Sequence, residues 1–179
     1  MGCSVSVNQE PLQINRIGIV AIVTKSIQDT YYPTMMCFGC GPANDKGLQI
    51  KSFLAGEFVI GEFDPLPHHG NGGGVLNGGI IATLLDCHSG ATVLARSIHD
   101  SESNELTESW VTASLNIRYR RPTPLTSTVG LRAQILEVNE REMHVRSEAL
   151  SGEEVCAIAE ARWVKVAQRF LHGLDAHPR

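Results

Sequence analysis

The feature that most constrains this chain is the loop Asn71 to Gly79, with glycine at 72, 73, 74, 78 and 79, running without a break into the apolar stretch Ile80 to Ala95. Glycine adopts backbone conformations that other residues avoid, so the first part reads as a loop and the second, by its periodicity, as a helix. With Ile81 at the origin and ~100° per residue, Ile80, Leu84, Leu85, Cys87, His88, Ala91, Thr92, Leu94 and Ala95 fall on one broad stripe. Asp86 lies ~140° from Ile81, outside the stripe, beside Ala82, Ser89, Gly90 and Val93. It is the only formal charge between Asp64 and Arg96. Burying an unpaired carboxylate is costly, so Asp86 reads as a group with chemistry to perform. Its small neighbours permit close approach, so that face is expected to be covered, with Asp86 inside whatever covers it.

Around this helix, expected to end near Ser97, the pattern is β. Leu48 to Leu54 and Glu57 to Phe63 read as two strands joined at Ala55-Gly56, and Asp64-Pro65-Leu66-Pro67 ends the second. Asp100 to Glu108 reads as a polar surface loop. Val111, Ala113, Leu115, Ile117 and Tyr119 alternate with Thr112, Ser114, Asn116, Arg118 and Arg120 at period two, until Pro122 and Pro124 stop the strand. Val129, Leu131, Ala133 and Ile135 continue the pattern, Asn139-Glu140 turns it, and Met143, Val145 and Ala149 mark another strand. After the turn at Ser151-Gly152, Val155 to Val166 closes it, with Ala157, Ala159, Ala161 and Trp163 on one face. Hairpin-length connections make this an antiparallel sheet with one helix packed on it, an α+β layer.

At 179 residues one domain is expected. The boundaries read as an N-terminal extension at 1–35, the domain at 36–167 and a tail at 168–179. A net charge of −4 gives no general attraction to nucleic acid. Leu12 to Val23 is apolar but too short for a membrane span. Met1-Gly2-Cys3 opens a myristoylation pattern with Cys3 as an acylation site, though a variable extension or docking strand is the plainer reading. Five cysteines, an odd number with one inside the helix, fit a reducing cytoplasm better than a disulfide framework. Cys37-Phe38-Gly39-Cys40 invites a zinc reading, but no second ligand pair follows it in sequence. A tight turn with semi-buried thiols and no metal is therefore expected.

Loop, helix acid and third strand together resemble a hot-dog fold acyl-CoA thioesterase of the phenylacetate-pathway type. That family has a loop Asn, a His-Gly-Gly leading into the central helix, and a catalytic acid nine residues after the His. Asn71 matches the loop Asn, Gly78-Gly79 the glycine pair, Asp86 the acid. Thr112 to Pro122 resembles the strand ending in Tyr-x-x-Pro, with Thr112 in place of an active-site hydroxyl. Asn77 stands where the family has its His. The resemblance implies five or six antiparallel strands wrapped around one long helix, and acyl-CoA as substrate. It also implies a homodimer or homotetramer in which each site takes the glycine turn from one chain and the acid from another. This arrangement answers a difficulty of reach, since Asp86 lies ~12 Å along its own helix from Gly78.

Thioester hydrolysis needs a donor where negative charge grows and a base or nucleophile near the carbonyl carbon. The first amides of a helix have no intrahelical partner, and glycine admits a carbonyl oxygen closely, so Gly78 N–H is the expected oxyanion donor, with Gly79 beside it. Asp86 is the base or nucleophile. Asn77 is expected first as N-cap, Asn71 as water holder or Asx-turn, and His88 as a core histidine. Tyr119, Arg120, Arg121 and Arg141, with Arg118 and Arg132, form a candidate patch for the phosphates of coenzyme A, or else a charged strand edge. Coenzyme A enters only as part of the substrate; no metal or redox cofactor is expected. The Asn77 departure motivates an alternative, a non-catalytic acyl-CoA binder or sensor. A hydratase or dehydratase is disfavoured for want of the His, and a nucleotide loop for want of its motifs.

Overall fold

The computed structural model describes residues 25–100 and 108–167. The possible acylation site at residues 2–3, the docking segment before residue 25, most of the acidic loop and the tail lie outside them. A short helix α1 (Ile27–Tyr31) precedes strands β1 (Lys51–Ala55) and β2 (Phe58–Phe63). A single 3-10 turn (Pro67–His69) and the glycine loop lead into α2 (Gly78–Asp100). Then come β3 (Ser109–Tyr119), β4 (Val129–Val138), β5 (Glu142–Ser151) and β6 (Glu154–Val166). All pairings are antiparallel and the sheet order is β1-β2-β4-β5-β6-β3. This is the hot-dog arrangement, six strands around one long helix.

The helix seats as its stripe predicts. Ile81, Leu84 and Leu85 are buried against Leu131, Ala149, Ala157 and Ala159, small residues that let the helix approach the sheet closely. Ser89, Gly90 and Val93, on the small-residue side, are buried too. The chain's own sheet covers them: Trp163 Nε1 donates to Ser89 Oγ at 3.0 Å, and a Cβ on Gly90 would stand 2.8 Å from the Trp163 ring. By length and composition α2, with a mean hydropathy of 1.2, would suffice to cross a membrane, yet its apolar residues lie under the sheet.

Four details differ from the expected boundaries. Helix α2 runs three residues past Ser97. Strand β1 starts at Lys51 because Leu48 N–H and Ile50 N–H donate to Phe38 O and Gly39 O instead, with Gln49 between them at φ 54°. Residues 25–35, assigned by sequence to the extension, include α1, whose Ile27 and Gln28 are buried. Finally, β3 carries a register shift between Thr112 and Ser114. Thr112 pairs with Trp163 and Ser114 with Arg162, so Ala113 is an extra residue. Such a bulge reverses the in/out alternation of the strand. Thr112, read as lying opposite Leu115, shares its face and points toward α2.

Candidate active site

Asp86 sits mid-helix, half-buried, where this bulge aims Thr112. Thr112 Oγ1 donates to Asp86 Oδ1 at 2.8 Å. Burial raises the Asp86 pKa above the usual carboxylate value, the Thr112 hydrogen bond opposes that rise, and the nearby Cys37 adds to it. A carboxylate fixed on one oxygen and made more basic suits proton abstraction. Asp86 lines a cavity of about 380 Å³ shared with Met35, Leu94, Trp110 and Trp163. Among the described residues lining it there is an acid at each of 86 and 108, and no Lys or Arg.

At the other end of the site, the start of α2 is built by the glycine loop. Gly72 and Gly74 have φ of 85° and 81°, which only glycine adopts freely. Gly73 N–H donates to Asn71 Oδ1 at 2.8 Å, making Asn71 an Asx-turn, and Gly79 N–H donates to Asn77 Oδ1 at 2.7 Å, making Asn77 the N-cap. With the Gly79 amide engaged, Gly78 N–H is left without an acceptor among the described residues. Tyr119 Oη donates to Gly78 O at 2.8 Å and fixes that peptide from the sheet side. Within one chain Gly78 and Asp86 stay ~12 Å apart along the helix.

The arginines do not gather into one patch. Arg118 and Arg120 share a small cavity of about 200 Å³ with Arg146 on the sheet face away from α2. Arg121 pairs with Glu154, and Arg132 pairs with Glu148, which Arg146 also contacts. Arg141 lies by Asp100 and Lys165 at the far end of α2, ~30 Å along the helix from Gly78, so it does not join Tyr119, Arg120 and Arg121.

His88 is a satisfied core residue. Its Nε2 donates to Val59 O at 3.0 Å, so Nδ1 is bare and accepts from Ser52 Oγ at 2.9 Å. Complete burial pushes its pKa down to about 4. His69, the other histidine near the loop, is held by Leu66 N–H and packs on Phe63.

Sequence reasoning passed over Cys87. Its sulfur meets those of Cys37 and Cys40 beside Asp86, all within 4.8 Å of one another. The available signal was the glycine at 39 and 41, which marks a turn pressed hard against a neighbour.

A family model described as the thioesterase superfamily matches residues 73–158. A thioesterase superfamily protein from Shewanella loihica is 32% identical in its solved structure; the match covers 70% of this chain and 97% of that one, with a TM-score of 0.54. A Bacillus halodurans protein, solved with CoA, is 26% identical over 68% of this chain and 77% of its own, with a TM-score of 0.58. The mouse acyl-coenzyme A thioesterase THEM4 is 30% identical over 88 residues, 49% of this chain. The chain spans only 34% of that relative's length.

Proposed function

Because this chain belongs to the thioesterase superfamily, we propose that it hydrolyses the thioester of acyl-coenzyme A at a site shared between two protomers. The observation that carries the reading is the Thr112-oriented carboxylate of Asp86 on the wall of a cavity, in a chain whose helix start presents the unengaged Gly78 N–H. The thioester carbonyl lodges against Gly78 N–H of one protomer. Asp86 of the other takes a proton from water as the oxygen attacks the carbonyl carbon. Negative charge then grows on the carbonyl oxygen, where the amide and the helix dipole stabilise it. Collapse of this intermediate breaks the C–S bond, and the thiolate leaves and is protonated.

Pairing of two protomers supplies what one helix lacks. It is supported by β3, an eleven-residue strand with a partner on one edge only among the described residues, the kind of edge a second chain covers. The finding of CoA on the Bacillus halodurans relative supports coenzyme A as the carrier. Arg118 and Arg120, neither in an ion pair among the described residues, are the arginines left to meet its phosphates.

The test is thiol release from a panel of acyl-CoAs. Turnover by the wild type and a loss of at least ~100-fold in Asp86→Asn is the expected result. Equal rates would remove Asp86 from the chemistry. Tight acyl-CoA binding without turnover in either protein would favour the sensor reading, for which Asn77, its side chain already committed to capping, is the motive.

A further inference from the structure

Cys37, Cys40 and Cys87 come from two distant parts of the chain. Yet their three sulfurs lie within 4.8 Å of one another, and Cys37 Sγ stands 3.8 Å from Cys87 Sγ. Four sulfurs held at about 2.3 Å around a tetrahedral zinc ion are about 3.8 Å apart. A disulfide would need about 2.05 Å. We infer that these three cysteines form a binding site for a thiophilic divalent cation, Zn²⁺ by geometry, that clasps the segment before β1 onto α2.

The local backbone is shaped for this. Gly41 N–H donates to Cys37 O at 2.9 Å and closes the turn. A Cβ on Gly39 would stand 2.3 Å from Cys87 Sγ, and one on Gly41 would stand 2.4 Å from Cys37 N. Side chains at either position would break the turn or push it off the helix. Glycine at both positions therefore brings the Cys37 and Cys40 sulfurs down to the third.

The electrostatics favour a cation too. Three thiolates held within 4.8 Å of one another repel, so they stand together only beside a positive charge. The cavity lining that holds these sulfurs with Asp86 and Glu108 offers no basic side chain among the described residues. A dication would supply the charge, and three protein ligands would leave its fourth position facing the cavity.

Metal binding is read without substrate, so it stands or falls apart from the hydrolytic reading. The full chain is reduced, stripped of metal, and titrated with Co²⁺ under argon, then with Zn²⁺. The expected result is one Co²⁺ per chain, with thiolate-to-cobalt charge-transfer absorption and the visible bands of a tetrahedral site, displaced by Zn²⁺. Cys37→Ser and Cys87→Ser should weaken binding at least ~100-fold, while Cys156→Ser, whose sulfur lies elsewhere and contacts Glu154 O, should not. Should the serine variants fail to fold, the wild type decides: equimolar Zn²⁺ should raise its thermal midpoint by several degrees, reversibly by chelator. No charge-transfer band, a band that survives Cys87→Ser, or no Zn²⁺-dependent rise in the midpoint would each overturn the site.

Discussion

Thr112 reaches Asp86 only because β3 carries an extra residue at Ala113, which turns the Thr112 hydroxyl from the outer face of the sheet to within 2.8 Å of the carboxylate. A hydrogen bond to a charged group contributes about 1.5–3 kcal/mol, so Thr112→Val is expected to lower kcat/KM by roughly 10- to 100-fold. Thr112→Ser should restore most of it. The same lost hydrogen bond should lower the denaturation midpoint of Thr112→Val, whereas Thr112→Ser should keep it. Steady-state kinetics beside urea unfolding checks both; a loss shared equally by Val and Ser would mean that the hydroxyl does not position the acid.

Gln28 is tied to the core through Ser52. Its Nε2 donates to Ser52 Oγ at 3.0 Å, its Oε1 accepts from Ser52 N–H at 2.9 Å, and Ser52 Oγ in turn donates to His88 Nδ1. Gln28→Leu strands a buried N–H and is expected to cost about 1–3 kcal/mol of unfolding free energy. Urea denaturation measures it. An unchanged midpoint would show that residues 25–35 are an appendage, not part of the folded unit.

Glu148 supplies a pH dependence of stability. Burial disfavours its ionised form. Hydrogen bonds and charge from Arg132 on β4 and Arg146 on its own strand outweigh that and hold its pKa below the usual glutamate value. Glu160 on β6 is the cross-strand neighbour of Arg146. With a folded pKa below the unfolded one, the unfolded chain binds more protons in the window between them. The stabilisation is therefore present above the unfolded value, about 4.3, and is lost as pH falls through the folded one. Both arginines are well solvated, so the effect is about 1 kcal/mol. Denaturation midpoints from pH 6 downward, at about one-unit steps, should fall more steeply for the wild type than for Glu148→Gln. Parallel curves would exclude it.

The sheet and the central helix were legible in the sequence because both rest on local periodicity, and the lone charge of Asp86 marked a residue that the structure places on a cavity wall. What was not legible depends on pairing across the chain. The bulge at Ala113 leaves no trace in β3 itself, since the extra residue shows only against β6. Arg141 joins the other arginines when strands are laid side by side, and leaves them once the β4–β5 turn is placed at the far end of α2. Cys87 sits on the helix stripe as a small core residue until the turn at Gly39 is seen resting on it. For α1 a signal did exist: Ser26 and Asp29 have the spacing of a capping box, and Ser26 Oγ accepts from Asp29 N–H at 3.0 Å.

The proposed two-chain site makes the sharpest prediction. Gly78 opens α2, a position that tolerates proline because its N–H has no helical partner, and a Cβ there would meet nothing closer than Tyr119 Oη at 3.5 Å. Gly78→Pro therefore deletes the N–H proposed as oxyanion donor while keeping the helix. It should lower kcat by about 10²- to 10³-fold, the usual cost of one such donor. Asp86→Asn disables the other half of the site. In a two-fold dimer, one chain of each kind places both lesions in one site and leaves the second site intact, so co-refolding the two inactive proteins in equal amounts should recover about a quarter of wild-type activity. Were both groups to act from one chain, the mixture would stay as inactive as its parts.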